Sequence, residues 1–215
     1  MDTITAVQTE PYGRQSVGRK LCILTILAAL FSLLGWVAET VLFLIKRGHF
    51  VDRGLLTLPF CPMYGLSMLA VYAVLRTPQT GIWVKIAALP KTRTGKFAAV
   101  ATCVLLYAAA AALLASLFEY ITGAFYDNKF GVRLWNYRNK ENNIHGYVCL
   151  KYTLVWGTLS VAAMGLVWHP LQNVLARAKT AVLVTSAVLL FTAISADFVF
   201  NMIYLFTQDT RFLPW

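Results

Sequence analysis

Five long apolar runs separated by short polar connections account for most of the chain. The runs cover residues 21–45, 55–75, 97–126, 146–168 and 181–206. A helix advances about 1.5 Å per residue, so about 20 apolar residues are needed to cross the hydrocarbon core of a bilayer. The pattern therefore predicts an all-α polytopic membrane bundle of about five transmembrane helices.

The polar breaks divide this single integral membrane domain, residues 1–215, into five parts. They are a polar amino-terminal segment (1–20), a first hairpin (21–76), a basic connection (77–96), a second hairpin (97–168) and a fifth helix (181–206). Because prolines are tolerated at helix starts, the helix of the second run is expected to begin near Pro62 and to be short. Residues 81–86 are expected to form an interfacial helix, and His169-Pro170 to end the fourth crossing.

Composition supports a membrane protein and narrows its chemistry. The chain is 59% hydrophobic and 13% charged, with a mean hydropathy of +0.63, whereas soluble domains are about 45–50% apolar. The basic residues behind the formal charge of +10 lie mainly in the connections. This placement indicates that the basic residues set the membrane topology and contact anionic lipid, and it does not favour nucleic-acid binding. It predicts a multi-pass protein of the cell membrane with a cytoplasmic amino terminus.

Motifs that bind a nucleotide are missing from the sequence. No glycine-rich loop ends in Lys-Ser or Lys-Thr, and no glycine triad follows a strand-like run. We therefore expect no cofactor, and any energy for transport would come from a partner or an ion gradient. No serine or cysteine nucleophile accompanies a histidine in a recognisable motif, which counts against an enzyme.

Three acidic residues, Glu39, Glu119 and Asp197, interrupt the apolar runs. Each lies roughly 9 to 14 Å inside the same end of its run. A carboxylate in hydrocarbon costs several kcal/mol unless it faces a partner, the bundle interior or water, so such an acid is by default a functional candidate. The alternative is architectural: the glutamates would pair with arginine or tyrosine, and Asp197 with Asn201 one turn along.

Two of the acids belong to an internal repeat. A shift of 80 positions superposes Glu39 on Glu119, Phe50 on Phe130 and Arg53 on Arg133, and a shift of 88 superposes Cys61-x-x-Tyr64 on Cys149-x-x-Tyr152. Each unit holds two crossings, so the copies would be parallel repeats related by an axis along the membrane normal. Chance similarity between two apolar hairpins is the alternative.

The repeat predicts one polar cavity at the level of the two glutamates, beneath the loops that follow the first and third runs. The predicted substrate-binding residues are Glu39, Glu119, Arg53, Arg133, Tyr64, Trp135, Asn136, Tyr137, Asn143 and Asp197. The glutamates would attract a cation, a proton or an amine. The arginines would either clamp a phosphate or carboxylate or neutralise the acids. Trp36, Trp156 and Trp168 lie near the ends of runs, where most tryptophans are expected to be interfacial anchors.

Cys61 and Cys149 leave three alternatives. With His49 and His145 they would suit a soft metal, and in an oxidising compartment they would suit a disulfide. The favoured interpretation is that each is a small residue where a helix begins and packs closely. No metal site is predicted.

Short motifs in both halves match a known family. In the first half they are Leu34-Gly35-Trp36-Val37-Ala38-Glu39, Asp52-Arg53-Gly54 and Pro59-Phe60-Cys61-Pro62-Met63-Tyr64-Gly65. In the second half they are Glu119-Tyr120-Ile121-Thr122-Gly123, Leu134-Trp135-Asn136-Tyr137, Asn143-Ile144-His145-Gly146-Tyr147-Val148-Cys149-Leu150 and Trp156-Gly157. These motifs, over about residues 31–157, resemble the CmpB-type ABC transporter permease family, or ABC-transporter type IV. Asn136 stands where that family usually has Asp, and Leu58 where it usually has Gly.

The resemblance implies a small polytopic membrane protein with a transport function. We therefore expect a permease-like protein whose outward-facing cavity binds a small polar or cationic substrate. The alternatives are a membrane enzyme acting on a lipid or isoprenoid head group and a non-catalytic membrane interaction subunit. Expected partners are membrane lipids, the substrate, and either a second copy of the chain or a partner membrane subunit.

Overall fold

The computed structural model describes residues 15–208 apart from residues 53 and 91, and the described chain is an all-α bundle as predicted. The elements are α1 Val17–Arg47, α2 Pro62–Leu75, α3 Gly81–Ala88, α4 Arg93–Phe130, β1 Asn143–Ile144, β2 Val148–Cys149, α5 Leu150–Ala162, a π-helical turn Ala163–Trp168, α6 His169–Arg177 and α7 Thr180–Gln208. The two short strands pair antiparallel within the loop that joins α4 to α5.

Within the described residues, four stretches of helix are long and apolar enough to cross a membrane. They are α1, α4, the continuous stretch Leu150–Arg177, and α7. The helix of the second run begins at Pro62, as predicted, and has 14 residues. At about 1.5 Å per residue it would extend about 21 Å, less than the hydrocarbon core of about 30 Å.

Two left-handed glycines end the long helices that carry the glutamates. Gly48 follows α1 with a φ of 72°, and Gly131 follows α4 with a φ of 68°. Glycine adopts this conformation without the steric penalty of a Cβ, so both positions terminate a helix sharply. The loops that follow, residues 48–61 and 131–149, return the chain to α2 and α5.

Each return helix packs on the preceding long helix through a glycine. A Cβ at Gly65 of α2 would overlap the carbonyl oxygen of Ala28 in α1, and a Cβ at Gly157 of α5 would lie 2.8 Å from the carbonyl oxygen of Ala108 in α4. Ala28 and Ala108 are related by the shift of 80 positions. Small residues of this kind let helix backbones approach closely in membranes, and the shared arrangement supports the interpretation of two related hairpins.

Helix α7 runs parallel to α1. At one end, Arg19 Nη1 of α1 donates to Thr180 Oγ1 at the start of α7 over 2.7 Å. At the other end, the backbone N–H of Leu58, in the loop after α1, donates to Asp197 Oδ2 over 2.8 Å. Phe130 at the end of α4 meets Phe206 near the end of α7, with ring centroids 4.7 Å apart. The loops 48–61 and 131–149 therefore lie at the same end of the bundle.

Trp168 occupies the apolar core near the other end. Its fully buried ring stacks on Phe31 of α1 and Tyr72 of α2, with centroid distances of 5.6 and 4.7 Å. Tyr107 of α4 is also fully buried and meets Trp83 of α3 edge-on at 5.2 Å. Trp168 is thus a core residue, and its expected role as an interfacial anchor is wrong.

The fourth apolar run continues beyond its expected end. The helix passes through His169 and Pro170 and reaches Arg177, whereas the sequence suggested a stop at this dipeptide. The π-helical turn Ala163–Trp168 directly precedes it. Proline lacks the amide that a regular helix requires and its ring crowds the preceding turn, so a locally wider turn accommodates it.

Large apolar side chains cover the outer surface of the long helices. They include Leu105, Leu113, Leu154, Leu166, Leu189, Phe191, Ile203 and Phe206, each more than half exposed. Such a continuous apolar surface is unfavourable in water but matches lipid. The chain is a multi-pass membrane protein in contact with lipid.

Candidate functional site

The two glutamates lie in one group of side chains, which we call the carboxylate cluster: Glu39, Tyr64, Glu119, Tyr137 and Trp156. Tyr64 of α2 donates its hydroxyl to Glu39 Oε1 of α1. Tyr137 of the 131–149 loop donates to Glu119 Oε1 of α4 over 2.9 Å, and Trp156 Nε1 of α5 donates to Glu119 Oε2 over 3.3 Å. Each carboxylate therefore receives a donor from a neighbouring element.

An aromatic contact joins the two halves of the cluster. Tyr64 meets Trp156 edge-on with ring centroids 5.4 Å apart. These are the aromatic rings whose polar atoms donate to Glu39 and Glu119, so the two glutamates belong to one group rather than to opposite sides of the bundle. Gly35 of α1 makes room for this contact, because a Cβ there would overlap the ring of Tyr64.

The two carboxylates differ in burial. Glu119 is 3% exposed, while Glu39 is half-buried. A charge removed from water needs several hydrogen bonds to remain stable, and both oxygens of Glu119 have a donor. The architectural alternative expected Glu119 to pair with an arginine or a tyrosine. Among the described residues, Glu119 accepts from a tyrosine and makes no ion pair with an arginine.

The position of Tyr137 depends on the fold of its loop. Its backbone N–H donates to Gly146 O over 2.9 Å, and its ring stacks on Tyr152 of α5 at 4.8 Å. Burial raises the pKa of the Tyr137 hydroxyl well above its usual range, and the charges of Glu119 and Glu39 raise that pKa further. Tyr137 is therefore a neutral donor that faces both carboxylates.

Arg133 is directed toward a different acid. Its Nη2 pairs with Asp127 Oδ2 at 2.5 Å, and its guanidinium lies over the ring of Tyr147 at 5.4 Å. The Tyr147 hydroxyl also donates to Asp127, over 2.6 Å, which raises the pKa of this tyrosine. The expected partner position, Arg53, lies outside the described residues.

The other loop residues of the predicted site hold the loop in shape. Trp135 Nε1 donates to Tyr147 O over 2.7 Å, and Asn136 Oδ1 accepts from the backbone N–H of Arg138 over 3.0 Å. Asn143 Nδ2 donates to Lys140 O over 2.8 Å. These contacts position Tyr137, and their use in substrate binding stays a prediction.

Asp197 belongs to a separate contact. Its Oδ2 accepts from Leu58 N over 2.8 Å, and its Oδ1 accepts from Asn201 Nδ2 over 2.9 Å. Asn201 Nδ2 also lies 3.2 Å from Thr57 Oγ1. Asp197 therefore ties α7 to the loop after α1, and Asn201 shares a hydrogen bond with it, as the architectural alternative anticipates.

Two polar contacts near the predicted site were not anticipated. Trp156 donates to Glu119, although its place in an apolar run suggested an interfacial anchor. Trp156 lies one helical turn after Tyr152, and this spacing was the available sign that it shares a helix face with that tyrosine. Asp52 is buried and accepts from Trp36 Nε1 over 2.8 Å and from Gly54 N over 3.0 Å. Nothing in the sequence pattern indicates this pair.

Cys61 and Cys149 occupy matching positions at the helix starts. Cys61 precedes α2 and Cys149 precedes α5, and both are buried. All four cysteines are thiols, and within the described residues no group of three or more His, Cys, Asp or Glu is arranged to hold a metal ion. The positions match the packing interpretation of these two residues.

Two surface cavities lie close to the cluster. One is lined by Tyr120, Asn128, Arg133, Arg138, Asn143, His145 and Tyr147. The other is lined by Trp36, Phe50, Asp52, Thr57 and Pro59. Neither cavity is lined by Glu39 or Glu119; Glu119 is buried, and Glu39 is half-buried.

Comparison with known proteins returns one family. A family model described as "Putative ABC-transporter type IV" matches residues 26–202. No curated protein and no solved structure matches the chain. The matched range includes most of the first hairpin, all of the second, the carboxylate cluster and most of α7.

Proposed function

The chain belongs to the ABC-transporter type IV family, and from this we propose that it is a transport protein whose carboxylate cluster binds a small polar or cationic substrate. The single observation that carries the proposal is the meeting of Glu39 and Glu119 through the contact of Tyr64 with Trp156. Binding sites of transporters are often found where internal repeats meet, near the bilayer midplane.

The charge of the cluster favours a positive ligand. Two carboxylates in a region of low dielectric repel each other, and a cation between them would relieve that repulsion. Three groups that donate to them are neutral: Tyr64 and Tyr137 donate through their hydroxyls, and Trp156 donates through its indole. An ammonium or another small donor would take the place of one or both hydroxyls.

Burial of the cluster implies a gating movement. Glu119 is 3% exposed, so a substrate reaches it only after a side chain moves. Tyr137 is the proposed gate because it lies on a loop and covers Glu119, whereas Tyr64 and Trp156 are fixed on helices. Arg133, Trp135, Asn136 and Asn143 would support that gate, and Asp197 would anchor α7 beside it.

The carboxylate cluster by itself supplies neither the energy nor the direction of transport. Because the sequence contains no nucleotide-binding motif, a partner membrane subunit or an ion gradient would drive movement. A second copy of the chain is the other proposed partner. The cluster is expected to open toward the outside, with the amino terminus in the cytoplasm.

The test compares Glu39→Gln and Glu119→Gln with the native protein. Purified protein is titrated with small cations, from sodium to tetramethylammonium, and the thermal unfolding midpoint is followed. Native protein is expected to be stabilised by at least one cation, and each variant to lose that stabilisation because its carboxylate charge is gone. Glu141→Gln is the matched control, since Glu141 is an exposed loop acid outside the cluster. Equal stabilisation of native protein and both cluster variants would remove the proposal.

A further inference from the structure

We propose that the cleft beside the 131–149 loop binds a phosphate or carboxylate group, at a site distinct from the carboxylate cluster. The cleft has a volume of about 430 Å³ and is lined by Arg133, Arg138 and His145 together with Tyr120 and Asn128. Its volume is within the range of small-ligand sites, about 300–1,000 Å³. Its lining groups are hydrogen-bond donors of the type that binds anions.

Arg138 supplies the first free cationic group. Its backbone N–H is held by Asn136 Oδ1 at 3.0 Å, and its Cγ lies so close to Gly146 that a Cβ there would be 2.7 Å away. The guanidinium forms no hydrogen bond or ion pair with another residue in the described part of the chain. The side chain thus packs against Gly146 near its base, and Arg138 lines the cleft.

Arg133 supplies a second donor. Its Nη2 pairs with Asp127, whereas its buried Nη1 has no hydrogen-bond acceptor among the described residues. A buried donor without an acceptor destabilises a fold, and such a group in a native structure points to an absent ligand or water. Because Nη1 is buried, an anionic oxygen in the cleft would satisfy it only after a small movement of the Arg133 side chain.

The charge of the loop favours an anion over a cation. Residues 127–145 carry four basic side chains against two acids. Of the two acids, Asp127 already accepts from Arg133 and Tyr147, and Glu141 is exposed and does not line the cleft. The cleft therefore has the opposite charge preference to the carboxylate cluster.

His145 completes the donor set in an unusual backbone conformation. Its φ is 54°, in the left-handed region that disfavours side chains, and the following Gly146 has a φ of 77°. Its Nδ1 lies 3.0 Å from the Tyr120 hydroxyl. Strained residues of this kind persist where the surroundings hold them, often at ligand sites. Here the strain keeps the imidazole at the edge of the cleft.

The experiment uses the full-length protein in an uncharged detergent and two kinds of anion. In one arm, inorganic phosphate is titrated by calorimetry. In the other, binding of phosphatidylglycerol is compared with binding of phosphatidylcholine by native mass spectrometry. Saturable binding of phosphate assigns the cleft to a free anion, and selective binding of the anionic lipid alone assigns it to a head group. The proposal is overturned if neither phosphate nor the anionic lipid binds saturably.

Variants place the anion in the cleft. Arg138→Gln is expected to weaken binding about ten-fold or more, because one charged donor is lost. Lys140→Gln, which removes a charge from the same loop outside the cleft, is expected to leave binding unchanged. If both variants lose anion binding equally, the anion is attracted only by the net charge of the loop, and the proposed site is wrong. Should Arg138→Gln fail to fold, Arg138→Lys, which keeps the charge without the planar fork, is expected to bind about three-fold more weakly.

A further variant separates this site from the proposed function. Glu119→Gln is expected to keep anion binding while losing the cation-induced stabilisation. Loss of anion binding in Glu119→Gln would contradict two independent sites. Loss of anion binding in Arg138→Gln with cation stabilisation intact would support both sites.

Discussion

The two hairpins present related glutamates in different surroundings. In the first, Glu39 is half-buried, and Tyr64, in the first turn of α2, donates to it. In the second, Glu119 is almost fully buried, and its donors come from Trp156 of α5 and from Tyr137 of the connecting loop. The second connection is longer: the stretch from Arg133 to Cys149 exceeds that from Arg53 to Cys61 by eight residues.

That difference shows how two similar hairpins can place matched acids in unlike surroundings. The helix pairs keep the same close contact of glycine against a preceding helix, because backbone packing tolerates little change. The loops are free to differ, and the longer one delivers a tyrosine to Glu119 and forms a basic cleft beside it. Matched acids can thus share a framework while one of them is covered by a loop.

The glycine contacts provide the largest expected effects. Gly65→Ala is expected to destabilise the fold by about 3 kcal/mol or more, because the new methyl group would overlap a backbone carbonyl that cannot move aside. Gly157→Ala is expected to cost about 1 kcal/mol, since its closest contacts are less severe. Unfolding in mixed micelles measures both.

Gly18 provides the control for these substitutions. It lies near the start of α1 with no atom within 4 Å of a Cβ at that position, so Gly18→Ala is expected to be neutral or stabilising by up to about 1 kcal/mol. A larger loss of stability in Gly157→Ala than in Gly65→Ala would contradict the described contacts.

Removing the hydroxyl of Tyr137 or Tyr64 tests the difference in burial between Glu119 and Glu39. Tyr137→Phe is expected to cost about 2 kcal/mol, because it leaves an oxygen of a buried charge without its donor. Tyr64→Phe is expected to cost about 1 kcal/mol, because Glu39 is less buried. Equilibrium unfolding of the two variants gives the comparison.

A double variant separates the hydrogen bond from general packing. In the Glu119→Gln background, Tyr137→Phe is expected to cost less, since a neutral amide tolerates the lost donor better than a carboxylate. An identical cost in both backgrounds would mean that Tyr137 stabilises the loop only through the stacking of its ring on Tyr152.

The smallest expected effect is a dependence on alkaline pH. The pKa of Tyr137 is raised by burial and then by the nearby carboxylates, so the folded state keeps a proton that the unfolded state loses near its usual pKa of about 10. Stability from this group is complete below about pH 10 and declines as the pH rises above that value. Unfolding measured across this range should show a weaker decline in Tyr137→Phe. An unchanged decline would contradict the raised pKa.

Much of the fold follows from patterns read along the chain. The apolar runs locate the long helices, Pro62 marks the start of α2, and the helix expected over residues 81–86 begins at Gly81. The spacing of Glu39 and Glu119 led to two residues that lie in one cluster. These features depend on local periodicity and helix-start chemistry, which act within a few residues.

Other features depend on contacts between distant parts of the chain. Trp156 looks like an interfacial anchor in the sequence, yet it donates to Glu119 from 37 positions away. Arg133 looks like a partner for Glu119, yet Asp127 lies closer and takes the ion pair. The helix also continues through Pro170 because the π-helical turn accommodates it.

The sequence by itself determined a membrane bundle, two hairpins with matched acids, and a basic loop between α4 and α5. Hydrophobic length and residue spacing are sufficient for these features, because a bilayer admits few arrangements of an apolar chain. Only the tertiary structure decided which donor serves which carboxylate and where the loop folds over the bundle. Hydrogen bonds reach only about 3 Å, so those choices depend on the mutual positions of helices that are far apart along the chain.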